Sequence, residues 1–213
     1  MLAACDANYK FIMVDIGAPG RRSDGGVFRS SDMGIKFFNQ QMNLPAPTKI
    51  NNNGPLLPYY LVGDEGFPLT KFLMRPYPRR HNLSTTQKVF NYRLSRARRN
   101  IECSFEIFVQ RFRIFRKPII AKTETVKKIV KTAFCLHNFI LNNEEKPQPN
   151  DDNFVTNMFN LSQTRGFRRL APDNDLFDLS VDSAVKTREE LAKYLMYFGE
   201  GSVKWQFNKI RHL

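Results

Sequence analysis

The stretch Pro58-Tyr-Tyr-Leu-Val-Gly-Asp-Glu-Gly-Phe-Pro68 organises the reading of this chain. Tyr59 to Val62 is a short aromatic and branched run bounded by Pro58 and Gly63, the pattern of a strand. Gly63-Asp64 stops it, and Gly66 and Pro68 turn the chain away. A carboxylate at such a strand end has a fixed backbone and an open side, which suits a divalent cation. Asp is equally at home as an ordinary turn residue, because its side chain bonds the backbone two residues on. From this stretch alone both readings of Asp64 stand, and the turn reading leads.

The surrounding composition shifts the balance. With 213 residues, 42% hydrophobic and 13% aromatic, the chain can bury one sizeable core. No apolar run reaches the ~20 residues that a membrane-spanning helix needs, and Met1-Leu-Ala-Ala-Cys-Asp lacks the basic start of a signal peptide. Three scattered cysteines, Cys5, Cys103 and Cys135, argue for a reducing compartment and against a disulfide framework. The net charge of +13 is concentrated: residues 71–131 hold 17 Lys and Arg against three acids, a net +14, while both flanks are close to neutral. Clustered positive charge is the footprint of a nucleic-acid partner, with a solvated basic face as the alternative.

In chain order, Leu2–Cys5 and Tyr9–Ile16 read as two strands of a hairpin turning at Asp6-Ala-Asn8. Gly17-Ala-Pro-Gly20 breaks the second strand. Val27 to Phe38 reads as a short helix capped by Ser30 or Ser31, and residues 44–57 as a surface connection. The strand ending at Asp64 follows, then a helical turn at 69–74. Ser84 opens the longest helix. Phe90, Leu94, Ala97, Ile101, Phe105, Phe108 and Phe112 recur at steps of 4, 3, 4, 4, 3 and 4, one helical face, with Arg93, Arg96, Arg98 and Arg99 off it. Pro118 ends that segment. A second amphipathic helix runs from Glu124 to Leu141 with His137 turned inward, a core histidine, and a closing helix starts at Thr187. The expected divisions are 1–145 as the principal domain, 146–186 as linker and loop, and 187–213 as a C-terminal helix and tail. The fold class is α/β, with a helical C-terminal half.

Glu102 is the second candidate. It lies about 100° round the helix from Ile101, at the edge of the apolar stripe. A helical carboxylate there can face a strand-end Asp, and two carboxylates in a basic cleft can bind Mg²⁺ or Mn²⁺. Two such ions activate water and stabilise a leaving oxygen in phosphodiester chemistry. A salt bridge from Glu102 to Arg98 or Arg99 explains the same spacing.

Five ordered motifs then carry a resemblance: Asp15-Ile-Gly-Ala-Pro-Gly-Arg-Arg-Ser-Asp-Gly-Gly-Val-Phe-Arg-Ser-Ser31, Tyr60 to Leu69, Phe90 to Phe105 with its Asn-Ile-Glu-Cys-Ser-Phe ending, Arg111-Phe-Arg-Ile-Phe115 and Leu136-His-Asn138. Together they resemble the DDE endonuclease domain of PIF/Harbinger transposases and of the nucleases derived from them. The resemblance implies an RNase H-like core, a divalent metal (Mg²⁺ or Mn²⁺) and hydrolysis of DNA phosphodiesters. In that pattern Asp64 and Glu102 match catalytic metal ligands and Asp24 a secondary one, whereas Asp15 reads as structural. Arg93, Arg96, Arg98 and Arg99 become phosphate contacts. It further implies a nuclear protein, with the cytoplasm second, and a separate DNA-binding partner. No residue matches the family's first catalytic Asp, so an N-terminally incomplete core with impaired activity is expected. A non-catalytic DNA-binding or partner-binding remnant is the alternative.

Overall fold

The computed structural model describes residues 1–17, 23–52, 54–79, 82–144, 181–197, 203 and 205–210. Most of the expected 146–186 linker lies outside these. The chain divides into two compact units. One comprises Met1, Ala3–Gly17 and Asn100–Leu170; the other Leu2, Ala18–Arg99 and Ala171–Leu213. Mixed α/β architecture is observed: helices accompany three two-stranded sheets among the described residues.

In the first unit, β1 (Leu2–Cys5) pairs with β2 (Phe11–Asp15). Asp6 makes the turn: its Oδ1 accepts from Asn8 N at 2.8 Å and from Lys10 N at 3.0 Å. Tyr9 completes it with φ 63°, in the left-handed region. Phe11 is buried and Ile12 exposed, the alternation of a strand with one covered face. Phe11 packs on Phe105, Phe108 and Phe134 with ring centroids 5.1, 5.8 and 4.6 Å away. These come from α3 (Thr85–Arg111) and α4 (Thr123–Asn143). Ala133, Phe134 and His137 are the buried residues of α4, an i, i+4 ridge. The Leu-His-Asn signature pins this helix to the hairpin. Asn138 Oδ1 accepts from Phe11 N at 2.9 Å and its Nδ2 donates to Phe11 O at 2.7 Å. His137 is fully enclosed, with Nε2 3.1 Å from Tyr9 O. Burial pushes its pKa down, only partly offset by that bond.

The second unit buries Leu57, Met74, Tyr77, Phe90, Leu94, Leu191, Ala192 and Tyr194 in one cluster. The connection at 44–57 contains a small antiparallel sheet, β3 (Thr48–Lys49) with β4 (Leu56–Leu57). β5 (Leu61–Val62) pairs in parallel with β6 (Leu73–Met74), in register Leu61 to Leu73 and Val62 to Met74. Residues 69–74 therefore end in a strand, not a helical turn. Leu73 and Met74 are both buried, and an uninterrupted apolar pair of this length carries no period that separates strand from helix.

The expected helix over 27–38 is two helices, α1 (Asp24–Ser30) and α2 (Asp32–Phe38). Ser31 divides them. Its extended backbone (φ −81°, ψ 151°) stops α1, its hydroxyl donates to Phe28 O at 2.7 Å, and the same oxygen accepts from Gly34 N at 2.9 Å, capping α2. Gly34 is required, because a Cβ there would overlap the Phe28 carbonyl. The long helix opens as read from Ser84, through a reciprocal box: Gln87 N donates to Ser84 Oγ at 3.3 Å and Ser84 N to Gln87 Oε1 at 3.1 Å. It ends at Arg111, before Pro118, and a 3₁₀ turn (Arg113–Arg116) intervenes. The closing helix, α5 (Val181–Tyr197), starts six residues before Thr187. Thr187 is not its cap. Its hydroxyl donates to Ser183 O at 3.0 Å inside the helix, the other common use of a Thr side chain. α6 (Trp205–Ile210) follows. No described helix is long and apolar enough to cross a membrane.

Candidate functional site

The parallel pair delivers the chain to Asp64. Leu61 N donates to Phe72 O at 2.8 Å and Gly63 N to Met74 O at 2.9 Å, after which the chain leaves the sheet. A side chain at Gly63 would press on the Phe67 ring, at 2.9 Å from its nearest carbon. Asp64 then folds the loop on itself. Its Oδ1 accepts from Gly66 N at 2.8 Å and its carbonyl from Phe67 N at 3.3 Å. The turn reading of Asp64 is thus correct for one carboxylate oxygen. The other has no hydrogen-bond partner among the described residues, so one Asp can both build the turn and offer a ligand atom.

Arg75, one residue past β6, fastens the loop from behind. Its Nη1 donates to Phe67 O at 3.1 Å, with Glu65 O at 3.5 Å. In the sequence it is one cation among many in the basic loop 75–81. Its role depends on the parallel β5–β6 pairing, which brings residues 65–67 and 75 together.

Asp24 reaches the same loop from α1. Ser23 caps this helix, accepting from Gly26 N at 3.2 Å, and Asp24 stands in its first turn, where a negative charge is favoured. Gly25 lies directly on the Gly66 carbonyl, so close that any Cβ would overlap it. Phe28, almost wholly buried, locks the contact with its ring centroid 5.9 Å from that of Phe67. A Cβ at Gly66 would stand 3.1 Å from Asp64 Oδ1 and 4.0 Å from Asp24 Cβ. The two carboxyl groups therefore flank one glycine. Partial burial, and then the Asp64 charge, push the Asp24 pKa up. A carboxyl group whose proton affinity rises beside a second carboxylate marks a place where a cation is electrostatically welcome.

Glu102 is exposed on α3 and belongs to the other unit. One turn on, Glu106 has its pKa pushed up by burial and then by Glu102. Glu106 Oε2 is buried without a hydrogen-bond partner among the described residues. Of the four arginines, Arg96 and Arg99 are exposed and Arg93 and Arg98 half-buried. Burial and then the Arg96 charge push the Arg93 pKa down. No group of three His, Cys, Asp or Glu side chains stands at metal-binding spacing among the described residues. Two carboxylates nevertheless fit Mg²⁺, which keeps several waters and commonly takes one or two protein carboxylates plus substrate phosphate.

Residues 1–138 match the family of the DDE superfamily endonucleases, and the chain belongs to that family. All five motifs of the sequence resemblance fall inside those residues. Among curated proteins, the chain is similar to Protein ALP1-like of Arabidopsis thaliana, at 25% identity over 178 residues. The match covers 80% of this chain and 41% of that protein, so the chain spans about two fifths of its relative's length. No solved structure matches.

Proposed function

We propose that this chain carries the metal-binding centre of a DNA endonuclease descended from a Harbinger-type transposase, built on an RNase H-like core. Asp64 and Asp24 are its ligands on geometry, and Glu102 enters only as the helical ligand that the sequence resemblance implies. The observation that carries this reading is the meeting of Asp24 and Asp64 across Gly66 in a chain of the DDE endonuclease family. Mg²⁺ or Mn²⁺ bound there would activate a water and neutralise charge on the leaving oxygen of a phosphodiester. The chain's own residues do the rest. The Gly66 N–H holds the Asp64 carboxylate, Arg75 holds the backbone of its loop, and Arg93, Arg96, Arg98 and Arg99 of α3 are the proposed phosphate contacts. A nuclear location and a separate DNA-binding partner protein belong to the same reading.

The test is nicking of supercoiled plasmid in Mg²⁺ or Mn²⁺ by the wild type, Asp64→Ala and Glu102→Ala. The expected result is metal-dependent nicking that falls at least ~10²-fold in each variant, the scale of losing a charged group from a reaction centre. Equal activity in all three refutes the assignment.

A second reading is a DNA-binding remnant without catalysis, favoured by the net +14 of residues 71–131. It predicts salt-dependent binding to DNA of any sequence and no metal-dependent cleavage.

A further inference from the structure

The connection between α3 and α4 is built like an exhibit. Phe112 and Phe115 turn inward onto Phe108, with centroids 5.3 and 4.8 Å away, and anchor the 3₁₀ turn to the core of their unit. The residues between and just after these anchors are largely exposed. Arg113, Arg116 and Lys117 are exposed, and the 3₁₀ geometry sets Arg113 and Arg116 on one edge, about 6 Å apart along the axis. Lys117 is extended before Pro118 (φ −131°, ψ 156°). The chain then presents Ile114 at 50% exposure and Ile120 at 101%. These residues line an open hollow of about 560 Å³.

Two nearby cations are neutralised inside the chain. Arg111 pairs with Glu144 at 2.6 Å and Lys127 with Glu124 at 3.0 Å. Arg113, Arg116 and Lys117 have no carboxylate partner among the described residues, and no acid occurs between Glu106 and Glu124. A rigidly anchored segment thus combines unneutralised charge with two aliphatic side chains held in water. Its complement is negative and offers apolar contact within a few ångströms. A DNA duplex has both, in phosphates and in base steps that aliphatic wedges can enter.

We propose that residues 113–120 form a DNA-contact surface, distinct from the arginines of α3, in which Arg113, Arg116 and Lys117 hold phosphates and Ile120 contacts the groove. It rests on DNA being the substrate, but not on metal chemistry.

The test is fluorescence anisotropy of a labelled 20-base-pair duplex with the full chain in EDTA, from about 50 to 200 mM salt. Arg116→Gln/Lys117→Gln should bind roughly tenfold or more weakly and flatten the slope of log affinity against log salt by about 2, near 0.9 per phosphate contact. Arg113→Gln alone should flatten it by about 1. Ile120→Ser should weaken binding about threefold or more with the slope unchanged, because it removes no charge. Lys36→Gln, exposed on α2, should match the wild type. Affinity and slope unchanged in the double variant and in Arg113→Gln overturn the proposal. So does loss of binding to phosphatidylserine vesicles with DNA binding intact, which assigns the segment to an anionic membrane. A wild type that binds DNA but does not nick it removes the endonuclease reading and leaves this surface standing; one that binds no DNA removes both.

Discussion

Gly25→Ala separates a structural glycine from an ordinary one. Alanine in place of glycine within a helix normally gains up to about 1 kcal/mol. Here the new Cβ overlaps the Gly66 carbonyl oxygen and lies 3.5 Å from its carbon, both backbone atoms that cannot rotate aside. Either α1 or the 64–67 loop must move. Overpacking of this kind costs about 1–3 kcal/mol, so the expected net effect is destabilisation by ~1–2 kcal/mol, opposite in sign to the propensity. The movement should also part Asp24 from Asp64. The Asp24 carboxyl then loses partial burial and a neighbouring charge, and its raised pKa falls back toward the ordinary Asp value, near 3.9. Gly66→Ala is the companion. Its Cβ meets the Asp64 carboxylate oxygen at 3.1 Å, a side-chain atom that can turn, so it should cost less than about 1 kcal/mol. Thermal denaturation reads the stability and carbon-detected NMR titration of the Asp carboxyls reads the coupling. Gly25→Ala as stable as the wild type, with the Asp24 titration unmoved, refutes the packing of α1 on the Asp64 loop.

Two further predictions concern the other unit. Asn138→Ala removes both hydrogen bonds to Phe11 and leaves its partly buried N–H and C=O unmatched, at a cost of about 2–4 kcal/mol. Asn138→Asp, which can accept from the N–H but not donate to the C=O, should fall between; equal denaturation midpoints for Asn138→Ala and the wild type would remove the clasp from consideration. His137 gives a pH signature. Its folded pKa lies below the unfolded value of about 6.5, so the unfolded chain binds the proton first and stability declines as pH drops below ~6.5 toward the folded pKa. His137→Gln should abolish that part of the decline, and identical melting-temperature profiles between about pH 5 and 7.5 in both proteins would contradict it.

Much of the fold follows from periodicity, and the departures have local causes. The apolar stripe of α3 is real, yet it serves two cores. Phe90 and Leu94 belong to one cluster and Phe105 and Phe108 to the other, while Ala97 between them is exposed. A regular stripe gives no sign that its partners change halfway. The division at Ser31 is invisible to periodicity because α1 and α2 each hold seven residues and their apolar positions run on across the cap. The strand at 61–62 is shorter than the apolar run suggests. Tyr59 is exposed, and the pairing that makes residues 61–62 a strand comes from Leu73–Met74, a segment with no strand signal of its own.

The candidate residues could be picked out by type and position, but what holds Asp24 and Asp64 near each other could not. Asp64 could be placed at a strand end, and Asp24 beyond the Pro-Gly break, from the order of the chain. What joins them is a contact between two glycines, Gly25 and Gly66, neither of which carries any chemical signal. The same holds for Arg75, whose two carbonyl partners become neighbours only through the parallel sheet. The two readings of Asp64 are not exclusive once geometry is present. One oxygen spent on the Gly66 N–H leaves the other available, so the turn is compatible with the proposed ligand role. Substituting Asn at position 64 keeps the turn acceptor and removes the charge. Asp64→Asn is therefore the variant that should preserve stability, lower the Asp24 pKa toward its ordinary value, and weaken Mn²⁺ binding measured by electron paramagnetic resonance. A variant that loses stability while keeping Mn²⁺ affinity would mean that Asp64 is a turn residue alone.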